Sequence, residues 1–173
     1  MKPFDSTGLK RLHREWRRKN DTPIHLLLDS VQTPYNVGTI IRTAAAYRVD
    51  TIWCAGRTES PNHAKTNKTA LGSQRFVTLE TDLDIDEAIA RIKGRGIRLV
   101  GVELAPGARP AHEADLTGEL CLAVGHEDRG LSAPCLAACD DVIYLPQLGR
   151  IGSLNVGVAA SIALYEARRQ QWG

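Results

Sequence analysis

No apolar run in these 173 residues approaches the length of a membrane span. The opening stretch, Met1 to Lys19, is charged and lacks the apolar centre of a signal peptide. A cytoplasmic protein with no membrane partner is therefore expected. Only four cysteines are present, and they do not read as a disulfide framework. Cys54 and Cys121 lie in apolar runs, where cysteine behaves as a small hydrophobe. Cys135 and Cys139 share a helical face, but no second Cys or His pair follows at ligand spacing, which argues against zinc. The chain also lacks Gly-x-Gly-x-x-Gly, the P-loop, internal repeats and low-complexity segments. What remains is an ordinary globular composition, 43% hydrophobic and 24% charged, in a length that fits one domain.

The net charge of +2 conceals an asymmetry. Residues 1 to 20 hold seven Lys/Arg against Asp5 and Glu15, so the rest of the chain is net negative. Leu9, Leu12 and Trp16 recur at helical spacing among Lys10, Arg11, Arg14, Arg17 and Arg18. The pattern predicts a short amphipathic helix that docks on the body and shows its charges to solvent. Residues 1–21 are assigned to this basic arm and 22–173 to the main domain. Clustered cations attract polyanions, which makes the arm a candidate phosphate-binding patch. A merely solvated charged helix explains the same pattern.

From Thr22 onward, short apolar runs alternate with helical segments. Strands are predicted at Ile24 to Asp29, Thr51 to Ala55, Arg75 to Leu79, Ile97 to Val102, Leu120 to Val124 and Val142 to Leu145. Helices are predicted at Gly38 to Arg48, Ile85 to Lys93, Ser132 to Cys139 and Asn155 to Arg169. This alternation implies an α/β fold, a parallel sheet flanked by helices. The last helix is apolar or small on nearly every face from Val156 to Leu164, so it needs cover all round. In so short a chain, a partner subunit is the expected cover.

Three polar loops follow strands, where open parallel sheets hold their ligands. In the first, Asn36 reads as a helix cap, and Gly38 permits close approach of a ligand or another backbone. Arg42 follows one turn later on a largely apolar helix and requires a partner or a cleft. The second, Gly125-His126-Glu127-Asp128-Arg129-Gly130, sets four ionisable residues between two glycines. The third runs from Leu145 through Pro146 and Gly149 to Ser153, Leu154 and Asn155, at the start of the last helix. Taken singly, each has a plain reading: a capped helix, a solvated turn, a surface loop.

Together, and in this order, the three segments resemble the motifs of the SpoU/TrmH family of RNA ribose 2′-O-methyltransferases, in the SPOUT class. Asn-x-Gly-x-x-x-Arg, Gly-x-Glu-x-x-Gly and Pro-x-x-Gly-x-x-x-Ser-Leu-Asn-Val occur in turn, and the likeness runs from about Leu26 to Glu166. Thr69-Ala70-Leu71-Gly72-Ser73 resembles a further recurrent family segment. The resemblance implies a C-terminal deep trefoil knot, a rare exception to unknotted chains, and a homodimer that completes the active site. It implies S-adenosyl-L-methionine as cofactor, held by Val102, Gly125, Leu145 and Leu154. Asn36, Arg42, Glu127, Ser153 and Asn155 would form the catalytic centre, with Arg42 as activator. No metal is implied, because the methyl donor is already activated. Lys10, Arg11, Arg14, Arg17 and Arg18 would then bind RNA. His126 and the Asp128-Arg129 pair are bulkier and more charged than this turn often is in relatives. With the sequence ending at Gly173, the long C-terminal extension that some transfer-RNA methylating relatives use is not expected.

A guanidinium binds its proton too tightly to act as a simple base in water. Two roles for Arg42 stay open: a strongly perturbed base, or a charged clamp on an RNA phosphate that helps accept the proton. Transfer RNA is favoured as substrate, with ribosomal RNA also open. The alternative is a catalytically silent RNA-binding protein that retains the fold.

Overall fold

The computed structural model describes residues 2–172. Seven strands, β1 (Ile24–Asp29), β2 (Thr51–Ala55), β3 (Thr78–Leu83), β4 (Arg98–Val102), β5 (Arg109–Pro110), β6 (Leu120–Val124) and β7 (Asp141–Tyr144), form one sheet. Its order is β3-β2-β1-β6-β4-β7-β5, and every pairing is parallel. Six helices accompany it: α1 (Ser6–Arg18), α2 (Pro34–Ala46), α3 (Ala64–Ala70), α4 (Ile85–Gly94), α5 (Ala133–Ala138) and α6 (Val156–Gln171).

Every residue of β1 and of β6 is buried, as expected of central parallel strands covered on both faces. Side chains alternate across the sheet. Leu26 and Leu28 join Val37, Ile41, Ala160 and Leu164 in a core beneath α2 and α6. Leu27 joins Trp53, Ile92, Leu99 and Cys135 in a second core beneath α4 and α5. The chain steps outward from β1 to β3, crosses to β4, and then inserts β6 between β4 and β1. The carboxyl ends of β1, β6, β4 and β7 thus become neighbours, and the loops that follow them meet.

Several sequence expectations need correction. Helix α2 begins at Pro34, not Gly38, with Thr33 as its N-cap. Proline fits the first helical position because it has no N–H to leave unsatisfied. Asn36 is therefore inside the helix and is not its cap. The strand expected at 75–79 is displaced to Thr78–Leu83, behind a 3-10 turn at Ser73–Phe76. Helix α3 and the two-residue strand β5 carry no periodic signal and lie outside the expected elements.

The arm does form a helix, but no residue of α1 is buried, and Leu9 and Trp16 are each 44% exposed. In its last turn Trp16 meets Trp172, with ring centroids 5.1 Å apart and the rings tilted by 54°. Trp172 in turn meets Tyr165 at 5.5 Å.

Candidate active site

The site is assembled at the carboxyl end of the sheet around one acidic side chain. Glu127, in the turn after β6, accepts from the backbone N–H of Thr33 at 2.9 Å and of Gln32 at 3.2 Å. It also accepts from Nδ2 of Asn36 at 2.9 Å. Burial opposes ionisation of this carboxyl. The Asn36 amide and backbone N–H groups of its own turn, Thr33 and Gln32 outweigh that and hold it down to about 2. The charge also sits at the amino end of α2, where the helix dipole favours an anion.

The other end of the Asn36 amide is used as well. Its Oδ1 accepts from Nδ2 of Asn155 at 2.9 Å. Asn155 is the N-cap of α6, and its Oδ1 accepts from Gly157 N at 2.9 Å and Val158 N at 3.3 Å. A Cβ on Gly157 would lie 3.2 Å from that oxygen and 3.4 Å from Thr39, a tight fit that asks these side chains to give by a few tenths of an ångström. One continuous hydrogen-bonded relay thus runs from the turn after β6, through α2, to the start of α6.

The turn itself is tight. His126 and Gly130 exchange backbone hydrogen bonds at 3.0 and 2.9 Å. A Cβ on Gly125 would fall 2.1 Å from the carbonyl carbon of Gly130 and 2.3 Å from Leu131 N. Gly130 has φ +69°, a conformation that favours glycine. Glu103, just past β4, accepts from Leu131 N at 2.9 Å and Leu104 N at 3.0 Å.

Beside the relay lies a cleft of about 470 Å³, a size typical of small-molecule sites. Val102, Gly125, Leu145, Leu154, Ser153 and Glu127 all contribute to its wall. So do Glu103, Tyr144, Gln147 and Val156, which sequence reasoning missed. They flank recognised motif positions, and adjacency alone could have suggested them. Arg42 stands apart: it is exposed on α2, its side chain forms no ion pair or hydrogen bond among the described residues, and it does not line the cleft. The partner or cleft required for it does not lie within the described residues of this chain.

The wall suits a nucleoside joined to a cationic centre. Val102, Leu104, Leu145 and Leu154 supply apolar surface for a base, while Glu103, Glu127 and Asp128 bring three carboxylates to the lining against the one guanidinium of Arg129. Among the described residues no group of three or more His, Cys, Asp or Glu is placed to hold a metal ion. No described helix is long and apolar enough to cross a membrane.

The chain is similar to several known proteins. The tRNA (guanosine(18)-2′-O)-methyltransferase of Escherichia coli K12 is 35% identical over 158 residues, 90% of this chain and 66% of that protein. The enzyme of the same name from Thermus thermophilus is 34% identical, over 94% of this chain and 82% of its own length. The SpoU methyltransferase AviRb from Streptomyces viridochromogenes, solved with AdoMet, superposes with a TM-score of 0.81 at 28% identity, covering 89% of this chain and 63% of that one. The chain thus spans just under two thirds of the Escherichia coli and Streptomyces proteins. The sequence profile described as the SpoU rRNA Methylase family matches residues 23–165. That match reaches from the threshold of β1 into α6 and takes in all three loops at the cleft: the chain belongs to the SpoU rRNA methylase family.

Proposed function

We propose that this protein transfers a methyl group from S-adenosyl-L-methionine to a ribose 2′-hydroxyl in RNA. The observation that carries this reading is the Glu127–Asn36–Asn155 relay, which ties the three motif loops around one cleft. Val102, Leu145 and Leu154 would hold the cofactor's adenosine, with Gly125 contributing backbone. The cofactor supplies an already activated methyl group. The chain's own contribution is positioning, which can account for much of a transfer rate. Asn36, Glu127 and Asn155 act by fixing the loops, since their polar atoms are spent on one another. Ser153, exposed on the cleft wall, is free to meet the ribose.

Arg42 completes the site from a second copy of the chain. The support is an apolar stripe on α6. Val158, Ile162 and Tyr165, with Leu154 before the helix, are exposed at spacings of one turn. Leu148 and Ile151 extend the stripe along the loop. Covering it with a homodimer buries these groups and brings a partner's surface to the cleft mouth. The same reading includes a knotted C-terminal segment within a main domain of residues 22–173, a basic arm at 1–21, and a cytoplasmic setting. Transfer RNA is the favoured substrate, because relatives named for guanosine-18 methylation align over most of this chain. A 23S rRNA (guanosine-2′-O-)-methyltransferase of Acinetobacter baylyi, 34% identical, keeps ribosomal RNA in view.

The test is transfer of labelled methyl from S-adenosylmethionine into unmodified transfer RNA and ribosomal RNA, with Arg42→Ala alongside. Incorporation into either pool that depends on Arg42 establishes the enzyme and its substrate class. Cofactor and RNA binding without transfer to either pool would favour the silent RNA-binding protein.

A further inference from the structure

Several lysines and arginines of this chain are paired: Arg91 and Arg95 with Glu80, Lys93 with Asp140, Arg109 with Asp141, Arg48 with Asp21 and Arg169 with Glu166. A second group lies along the stretch between β2 and β3. Arg57, Lys65, Lys68 and Arg75 make no ion pair among the described residues, and their side chains form no hydrogen bond there. The single carboxylate in residues 57–76 is Glu59, and it accepts from Ser60 N. Unpaired cations gathered on one surface create a positive potential that attracts polyanions.

The path of this stretch gives the charges a direction. β2 ends at the reaction end of the sheet, and β3 starts again at the other end, where Thr78 pairs with Thr51. Residues 56–77 therefore run from the cleft end to the arm end. Helix α3 is held tightly along the way. A Cβ on Gly38 would lie 2.6 Å from Thr69 Cβ and 2.8 Å from the Thr66 carbonyl, so α3 sits directly on α2. Thr66 and Ala70 are buried against it, which leaves Lys65 and Lys68 together on the outer face.

At the arm end the stretch changes character. Phe76 is 65% exposed, with the Arg75 guanidinium 4.7 Å above its ring. This pair borders a cleft of about 410 Å³ that is also lined by Asn20–Pro23, the link to α1. Asp21 and Asp50 also line that cleft, but Arg48 engages the first at 3.3 Å and Thr51 the second at 2.9 Å. An exposed aromatic ring beside a cation is a platform on which an unpaired base can stack.

We propose that the outer face of α3 and the 3-10 turn is a second RNA-contact surface. Lys65 and Lys68 bind phosphates there, and Arg75 and Phe76 stack an unpaired base. This surface carries a single strand between the reaction cleft and the basic arm. It rests on the RNA reading above and adds to it a route. The route is compatible with the proposed dimer: Thr43 of α2 bonds Ser161 of α6 at 3.0 Å, whereas Gly38 faces α3. Helix α2 thus separates this surface from the apolar stripe.

The test uses the full chain, a fluorescein-labelled oligouridine and an unmodified transfer-RNA transcript, titrated at several salt concentrations. Lys65→Glu with Lys68→Glu should weaken binding about tenfold or more at low salt and lower the slope of log affinity against log salt by about 1.4, two single-strand contacts' worth. Phe76→Ala should weaken oligouridine binding about tenfold and leave that slope unchanged. Cofactor affinity and melting temperature should stay at the parent values in both, which separates loss of contact from loss of fold. Parent-like affinity and slope in the lysine variant would overturn the surface, as would a parent chain that binds neither RNA. RNA binding that depends on Lys65 and Lys68 in a chain that transfers no methyl would support the surface and sink the catalytic reading alone.

Discussion

Asn36 and Asn155 bond amide to amide over 2.9 Å, although they lie 119 positions apart in the chain. Asn36 is 2% exposed and has both ends of its amide engaged, one by Asn155 and the other by Glu127. A motif residue that reads in sequence as a helix cap or a member of the catalytic centre is thus the tie between two loops. Replacing Asn155 with Ala removes the α6 cap and strands the Asn36 carbonyl. The expected loss is about 1–3 kcal/mol in urea unfolding, together with weaker cofactor binding by calorimetry. Unchanged stability would show that the relay holds nothing in place.

The carboxyl of Glu127 gives a pH signature. Its folded value is held to about 2 against an ordinary 4.5. A depressed acid stabilises the fold fully above its unfolded value, and that contribution fades as pH falls from about 4.5 toward 2. The stability gap between the parent and Glu127→Gln should therefore be largest near neutrality and narrow through that window. Denaturant melts of both proteins near neutral pH and at two acid values inside that window read it directly, and a gap that is flat with pH would contradict the assignment.

Gly125→Ala should disable the cofactor cleft more than it harms the fold. The added methyl meets backbone of Gly130 and Leu131 at 2.1–2.3 Å, and backbone cannot rotate away as a side chain can. The turn must open, at a cost of about 1–3 kcal/mol. Cofactor affinity is expected to fall by more than about tenfold, measured by calorimetry, while far-ultraviolet circular dichroism stays native.

Ile162→Asp places a charge in the exposed stripe of α6. Sedimentation should shift from dimer to monomer, and methyl transfer should fall with it. If the site is shared, mixing an Arg42→Ala chain with a Ser153→Ala chain should restore part of the activity, because one of the two sites in a mixed dimer is intact. A parent protein that sediments as a monomer and still transfers methyl would refute the shared site.

Arg168 is 5% exposed and donates to the carbonyls of Thr22, Tyr47 and Arg48 at 2.7, 2.9 and 2.7 Å. Burial, and then the charge of Arg48, pull it down to about 10. The side chain joins the last helix to the entry of β1 and to the end of α2. Arg168→Leu leaves those carbonyls without a donor and should cost about 3 kcal/mol or more, seen as a lower urea midpoint. Arg168→Lys should recover only part, since one ammonium cannot span the fork.

Much of this was legible in the residues. Ile24–Asp29 and Leu120–Val124 carry their burial as nearly unbroken apolar runs, and both strands lie where the pattern puts them. Val102, Gly125, Leu145 and Leu154, which the family resemblance puts forward as cofactor contacts, line one cleft. The failures have local causes. Pro34 starts α2 early, and a 3-10 turn delays β3. Helix α3 is seven residues of Ala, Lys, Thr and Asn, with no apolar period to announce it. The arm's apolar spacing predicted a short helix docked on the body. Only Trp16 near its end finds an aromatic partner.

The sequence by itself determined the alternation of strands and helices and the identities of the polar loop residues, because burial period and residue chemistry are local properties. The tertiary structure decided which loops are neighbours. Parallel strands need long crossovers, so adjacency in the sheet is not adjacency in the chain. Inserting β6 between β1 and β4 is what brings Glu127 to Asn36 and Asn155. The same packing leaves Arg42 on the outside of α2, where an apolar helix pattern alone could not have placed it.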